Sequence, residues 1–381
     1  MNMNCLKTLL LAGGVGFALA GTLQAETYRA ATFIGDSDVH TKEGFRWFFE
    51  EVDRVTNGEL TFELFTGGVL IPAKTTMQGV ADGIAQAGFT SSGYTPSELP
   101  VANALSWASF VERDPLVTGL AWADFVMHNE MQYNDFRKNG VIPVGGFATP
   151  PYDFICNTPK PLTSIEDVKG IRVRSPGGLI SNLVSALGMV PVAIPAQEMY
   201  QALETGQLDC AGMYPSWLNI DNSLAEVSRS VTTVDIYSNM NSPIQLYDAD
   251  FWQGLSTEHR KVLIDVSARS MARTQINYGS NQKKALEMAE AAGHEIVAPD
   301  DSLRGAIQAW VDNGMGDAAG IARKDLGIAD PEALFAEFMT SIDKWRGLVA
   351  GLEDRFDEEE LTALIRTNLT DTVDPATYGM D

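Results

Sequence analysis

Twice along the chain, short apolar strands alternate with amphipathic helices in the order strand, helix, strand, helix, strand, and this repetition constrains the fold more than any other feature. In the first pass, 28–33, 60–65 and 85–89 have strand patterning. Between them stand a polar loop at 35–40, a helix whose apolar face carries Phe45, Phe48, Phe49 and Val52, and a second helix over 73–82. A mostly helical stretch at 110–139 and a strand at 141–147 follow. The second pass starts at Tyr152. Thr163-Ser-Ile-Glu166 has the capping-box pattern of a short helix closed by Gly170, and then come strand 171–175, helix 179–187, strand 191–194, helix 196–205 and strand 208–212. Sustained alternation of this kind implies an α/β chain with parallel sheets covered by helices.

From 256 to 292 the helical pattern runs on without a break, long enough at 1.5 Å per residue to reach across more than one domain. Near the end, Phe335, Phe338, Ile342, Trp345 and Val349 recur at helical spacing and read as a packed face, and 374–381 reads as an irregular tail on the surface.

The chain opens with one lysine, an apolar run over 9–20 and then small residues, which is the layout of a secretory signal peptide and not of a membrane span. Cleavage is expected after Ala25, with Ala20 as the competing site, which places the mature protein in the periplasm as a soluble chain. Removing 1–25 takes the 381 residues to 356, a length suited to two domains, and takes the formal charge from −23 to −24, since that segment holds one Lys and no acid. Such a charge repels nucleic acid and anionic lipid, so neither is expected as a partner. Cys156 and Cys210 remain; two cysteines in a chain this long are not a disulfide framework, and the expectation is a pair of small buried thiols.

The four histidines stand in no zinc motif, and the chain has no nucleophile elbow, Walker loop or Gly-x-Gly-x-x-Gly turn, so no metal, cofactor or catalytic residue is expected. What remains is the stretch Ile171-Arg-Val-Arg-Ser175. Arg172 and Arg174 share one face of the strand, but ligands of open α/β sheets bind beyond the carboxyl ends of strands, where Arg174 sits and Arg172 does not. Arg174 is therefore expected to be a carboxylate fork or a structural ion pair, two readings the pattern alone leaves equal, and Arg172 a surface residue.

Three blocks, Thr163 to Arg174, Leu187-Gly-Met-Val-Pro-Val192 and Glu198 to Asp209, together with Gly-Gly-x-Leu-Ile-Pro at 67–72, resemble the solute-binding subunits of tripartite ATP-independent periplasmic (TRAP) transporters, the DctP-like family. The resemblance covers nearly the whole mature chain. It implies a two-lobed periplasmic binding protein of the type II-like kind, each lobe a mixed, mostly parallel sheet with helices on both faces, crossed by the long helix. The lobes would be 26–151 with 241–280 and 152–240 with 281–325, and 326–381 would pack on them. It further implies a monomer without enzymatic activity, which closes on a small organic carboxylate and hands it to membrane permease subunits. The carried-over anchor is Arg174.

Two departures bear on the ligand. A second arginine found in sialic-acid binders has no counterpart in Pro151-Tyr-Asp-Phe-Ile155, and Cys210-Ala-Gly-Met-Tyr-Pro-Ser-Trp217 replaces a polar or metal-binding stretch. Phe154, Met213, Tyr214 and Trp217 would then form an apolar wall, favouring a monocarboxylate with an apolar or aromatic body over a C4-dicarboxylate. Asp36, Asp38, Tyr94 and Lys74 are the candidates from the first lobe, while Glu198 and Tyr200 read as packing and capping residues. The rival readings are a ligand-binding partner of a sensory receptor and an exported carboxylate-processing enzyme.

Overall fold

The computed structural model describes residues 27–240 and 242–380, so the expected signal peptide lies outside the described residues. Two sheets organise the chain. The first has the order β2-β1-β3-β10-β4, from β1 (Thr27–Ala31), β2 (Thr61–Phe65), β3 (Ala87–Gly88), β4 (Val141–Val144) and β10 (Gln245–Asp248). The second has the order β11-β9-β5-β8-β6-β7, from β5 (Asp153–Cys156), β6 (Arg172–Ser175), β7 (Val190–Ala193), β8 (Cys210–Met213), β9 (Ser230–Thr232) and β11 (Glu295–Val297). Neighbours are parallel except around β10 in the first sheet and β5 in the second, each antiparallel to both of its neighbours. These two reversed strands are what the local apolar pattern does not encode, because a strand's own periodicity is the same in either direction.

The expected short helix after Thr163 is instead a run of turns. Asp167, not Glu166, organises it: its carboxylate accepts from Ser164 N at 3.0 Å and Ser164 Oγ at 2.8 Å, while Glu166 faces outward to Lys169. A carboxylate one residue later than the capping-box position satisfies the same donors without needing a helix behind it.

The helix Thr257–Ala291 has 35 residues, about 53 Å at the standard rise. It packs against the helical segment His40–Arg46 and the helix Trp47–Val55 on the first sheet's side, and against the turn Pro215–Leu218 that follows β8 of the second. Helix Pro331–Ala350 buries Phe335, Phe338, Ile342, Trp345 and Val349 mainly against helix Pro115–His128, so the aromatic stripe is a packed face. The tail is anchored more firmly than an irregular surface segment implies, since Tyr378 O accepts from Trp252 Nε1 at 2.8 Å and Tyr378 Oη donates to Pro143 O at 2.6 Å.

The cysteine expectation is overturned. Cys156 and Cys210 face each other in the β5–β8 register, with Cα atoms 4.1 Å apart, and form a disulfide. Sequence spacing held no sign of it, because two cysteines separated by 54 positions return to the same place only through the reversed direction of β5.

Candidate functional site

Strand β6 ends at Ser175, and the chain turns at once through Gly177 (φ 104°) and Gly178 (φ 60°), both in the left-handed region that glycine enters freely. This turn leaves Arg174 at the cleft end of the sheet. Its neighbour β8 comes very close: a Cβ at Gly212 would lie 2.6 Å from Arg174 O, so only glycine lets the two strands meet there.

The two arginines of β6 have different fates. Arg172, with a side chain 43% exposed, makes a two-pronged pair with Asp209 (Nε to Oδ2 2.9 Å, Nη2 to Oδ1 2.6 Å), and the same carboxylate accepts from Arg172 N. Arg174 is 1% exposed, and no acid among the described residues pairs with it. Its Nε donates to Ile194 O at 3.1 Å, Nη1 to Gly212 O at 3.4 Å and Nη2 to Tyr94 Oη at 3.0 Å. A guanidinium has five N–H groups, so these bonds leave part of the fork open. Arg260 is the useful contrast. It too is buried without an acid among the described residues, but three carbonyls (Pro375, Trp252, Leu255) and Thr257 Oγ1 surround it.

Arg174 lines a cavity of about 40 Å³, a few times the 10–15 Å³ that one water needs on the same measure. Aromatic rings share the wall with the guanidinium: Phe33 packs on Phe89 and on Tyr94, and Phe147 lies near Phe89. Tyr152, Asn239 and Tyr278 also line it. Burial pushes the Tyr152 hydroxyl up, with the Arg174 charge pulling it partly back.

Of the nine residues singled out from sequence, the structure brings Arg174, Asp38, Tyr94, Met213 and Tyr214 to this cavity. Asp36 is exposed and paired with Arg46 at 2.5 Å, and Lys74 is exposed on the turn Ala73–Thr75. Trp217 reaches the cavity only through Asp38, to which its Nε1 donates at 3.2 Å. Phe154 is buried inside the sheet, opposite Gly212. Because β5 runs backwards, its first end faces the cleft, so Tyr152 lines the cavity and Phe154 lies roughly 7 Å deeper. Glu198 and Tyr200 do not line it; Tyr200 Oη donates to Glu226 at 2.9 Å. Among the described residues, no group of three or more His, Cys, Asp and Glu side chains is placed to hold a metal ion.

Asp38 ties the two sheets' elements together. Its Oδ2 accepts from Tyr214 Oη (2.9 Å) and Trp217 Nε1, and its Oδ1 from His40 N (2.8 Å) and Tyr278 Oη (3.1 Å). Burial pushes the Asp38 carboxyl up, against those four bonds, and Asp221 nearby is pushed up to about 8 by burial and by the charge of Asp38. Asp153, buried at the start of β5, is also raised to about 8, chiefly by burial. An acid with a raised folded-state value holds its proton longer in the folded chain, so stability falls as pH rises toward that value. His40, held neutral by burial with its value lowered to about 4, acts in the opposite sense mainly below pH 6.5. Between pH 6.5 and 8 the acids dominate, each losing about 1 to 2 kcal/mol. The melting temperature of ligand-free protein is therefore expected to drop by a few degrees from pH 6.5 to pH 8, and Asp221→Asn should flatten the slope; an equal or rising melting temperature contradicts the assignment.

Two α/β lobes that share a buried cation beside a small cavity define a two-lobed ligand-binding protein. The family model of bacterial extracellular solute-binding proteins, family 7 (DctP), matches residues 31–314, and the chain belongs to that family, the solute-binding proteins of TRAP transporters. The ectoine-binding periplasmic protein TeaA of Halomonas elongata is 23% identical over 297 residues, covering 76% of this chain and 84% of that one. Among solved structures, a TRAP solute-binding protein from Bordetella bronchiseptica with bound (R)- and (S)-mandelate aligns with TM-score 0.71 at 22% identity, over 84% of this chain and 99% of that one. A marine metagenome TRAP protein specific for aromatic acid ligands, in complex with metahydroxyphenylacetate, aligns with TM-score 0.73 at 21% identity over 84% and 99%. At these identities the structural likeness carries the fold. The relatives are binding proteins of transporters, not enzymes, and family members are periplasmic. No described helix is long and apolar enough to cross a membrane.

Proposed function

We propose that this chain captures a small organic monocarboxylate with an apolar or aromatic body and delivers it to a TRAP permease. The observation that carries this reading is Arg174: a guanidinium 1% exposed, lining a cavity, with no acid paired to it among the described residues. Burying such a charge unpaired costs several kcal/mol, and a ligand carboxylate removes that cost while gaining two parallel charge-assisted bonds. Lobes made of 26–151 with 241–280 and of 152–240 with 281–325 would close around it, as the membership of the two sheets supports.

A dicarboxylate is disfavoured because, among the described residues, Arg174 is the only cationic side chain on the cavity wall, whereas Asp38 there adds an acid and Phe33, Phe89 and Phe147 add apolar surface. The mandelate and metahydroxyphenylacetate carried by two structural neighbours are in keeping with an aromatic acid. Thermal melts across phenylacetate-type monocarboxylates and succinate test this. At 100 times its dissociation constant, a bound acid should stabilise the protein by about 2.7 kcal/mol. Stabilisation by succinate with none from the monocarboxylates would overturn the ligand class, and turnover of any acid would overturn the binding-protein reading.

A further inference from the structure

Several contacts fix the His40 ring, an edge-on Phe45 at 5.2 Å between centroids among them. Its Nε2 donates to Ile244 O at 3.0 Å. Phe147 stacks on it at 4.6 Å between centroids, with 13° between the planes, and Phe89 packs at 4.2 Å. Its Cδ2 edge abuts Gly44 one turn along the same helical segment, where a Cβ would come within 2.7 Å. The edge opposite Cδ2 carries Nδ1, and the ring is part of the cavity wall. Nδ1 is buried, and among the described residues no donor reaches it.

A carbonyl oxygen can only accept, so the proton of the neutral ring sits on Nε2 and leaves Nδ1 a bare acceptor. Burial, which lowers the ring's value to about 4, keeps it neutral at ordinary pH. An unmet buried acceptor is costly, and the ring that carries it lines the cavity. Asn239, also on the wall with an unmet Oδ1, can rotate its amide to suit either a donor or an acceptor. His40 has no such freedom, because turning the ring would forfeit the bond to Ile244.

We propose that His40 Nδ1 reads a hydrogen-bond donor on the ligand, so that the favoured ligands are monocarboxylates that also carry a hydroxyl or N–H group. This rests on the reading of Arg174 as the carboxylate anchor. The polar demand is specific in sign: a methoxy group or a halogen of similar size cannot meet it, whereas a hydroxyl can.

The test is isothermal titration of the wild-type protein with phenylacetate, its three ring-hydroxylated isomers and their methyl ethers, and with propionate and lactate. At least one hydroxylated acid is expected to bind at least ~10-fold more tightly than both its unsubstituted parent and its methyl ether. In His40→Phe that preference should shrink to about 3-fold or less. Equal affinities within every matched set overturn the inference while leaving the carboxylate reading intact, whereas no binding by any acid overturns both. Survival of the preference in a folded His40→Phe variant also overturns it. Should that variant not fold, a crystal structure of the wild-type complex decides: a ligand donor within hydrogen-bond distance of Nδ1 supports the assignment, and a donor turned elsewhere refutes it.

Discussion

Arg174→Ala is expected to weaken binding of the carboxylate by at least ~100-fold while leaving the ligand-free protein as stable as before or slightly more so. The first half follows from desolvation: removing one partner of a buried, hydrogen-bonded charge pair costs about 2–5 kcal/mol of binding. The second half has the opposite sign to the usual effect of cutting a buried side chain. Without ligand, Arg174 is a buried cation with neutral acceptors only and no acid among the described residues, so deleting it relieves a desolvation cost against the loss of its packing. Arg174→Lys should recover little, since an ammonium cannot present the planar two-pronged fork. Arg172→Ala is the internal control, two residues away on the same strand face. It breaks the partly exposed pair with Asp209 and should cost little stability, with affinity unchanged. Calorimetric titration with parallel thermal melts separates the cases. Retained affinity together with a large loss of stability in Arg174→Ala would make the residue a structural cation, as Arg260 is.

The contrast between the two arginines was legible in sequence because it depends only on strand alternation and on where ligands sit relative to parallel strands. The alternating units, the long helix and the aromatic stripe were legible for the same reason: each is a local period. What local periods cannot carry is strand direction, and the misplacement of Phe154 comes from it: the reversed β5 presents Tyr152 to the cavity instead. His40 carried a usable signal, since it closes the same loop after β1 that singled out Asp36 and Asp38, and its absence from any metal motif drew attention away from it. Tyr278 had none. It is one polar aromatic in a 35-residue helix, and only the crossing of that helix over both sheets places its hydroxyl on Asp38.

Strand direction also makes the disulfide, and reducing it is expected to produce the largest loss of stability of any change considered for this protein. The bond closes a loop with a sequence separation of 54, for which chain-entropy reasoning gives about 4 kcal/mol. It ties β5 to β8, and β8 is the strand whose Gly212 touches Arg174 O, so the constraint acts on the sheet that aims the guanidinium. Native-state binding should nevertheless survive reduction, because the register of β5 and β8 is also held by their backbone ladder and by burial of Phe154 and Ile155. The expected result for protein lacking residues 1–25 is a melting temperature lower by roughly 5 °C in the Cys156→Ala, Cys210→Ala double variant, with ligand affinity within a few-fold of wild type. Protein made in a reducing compartment should melt with the variant and regain the higher value on oxidation. Two titratable thiols in denatured, unreduced wild-type protein would show that the bond does not form. A double variant that melts with wild type would show that it forms without stabilising the fold.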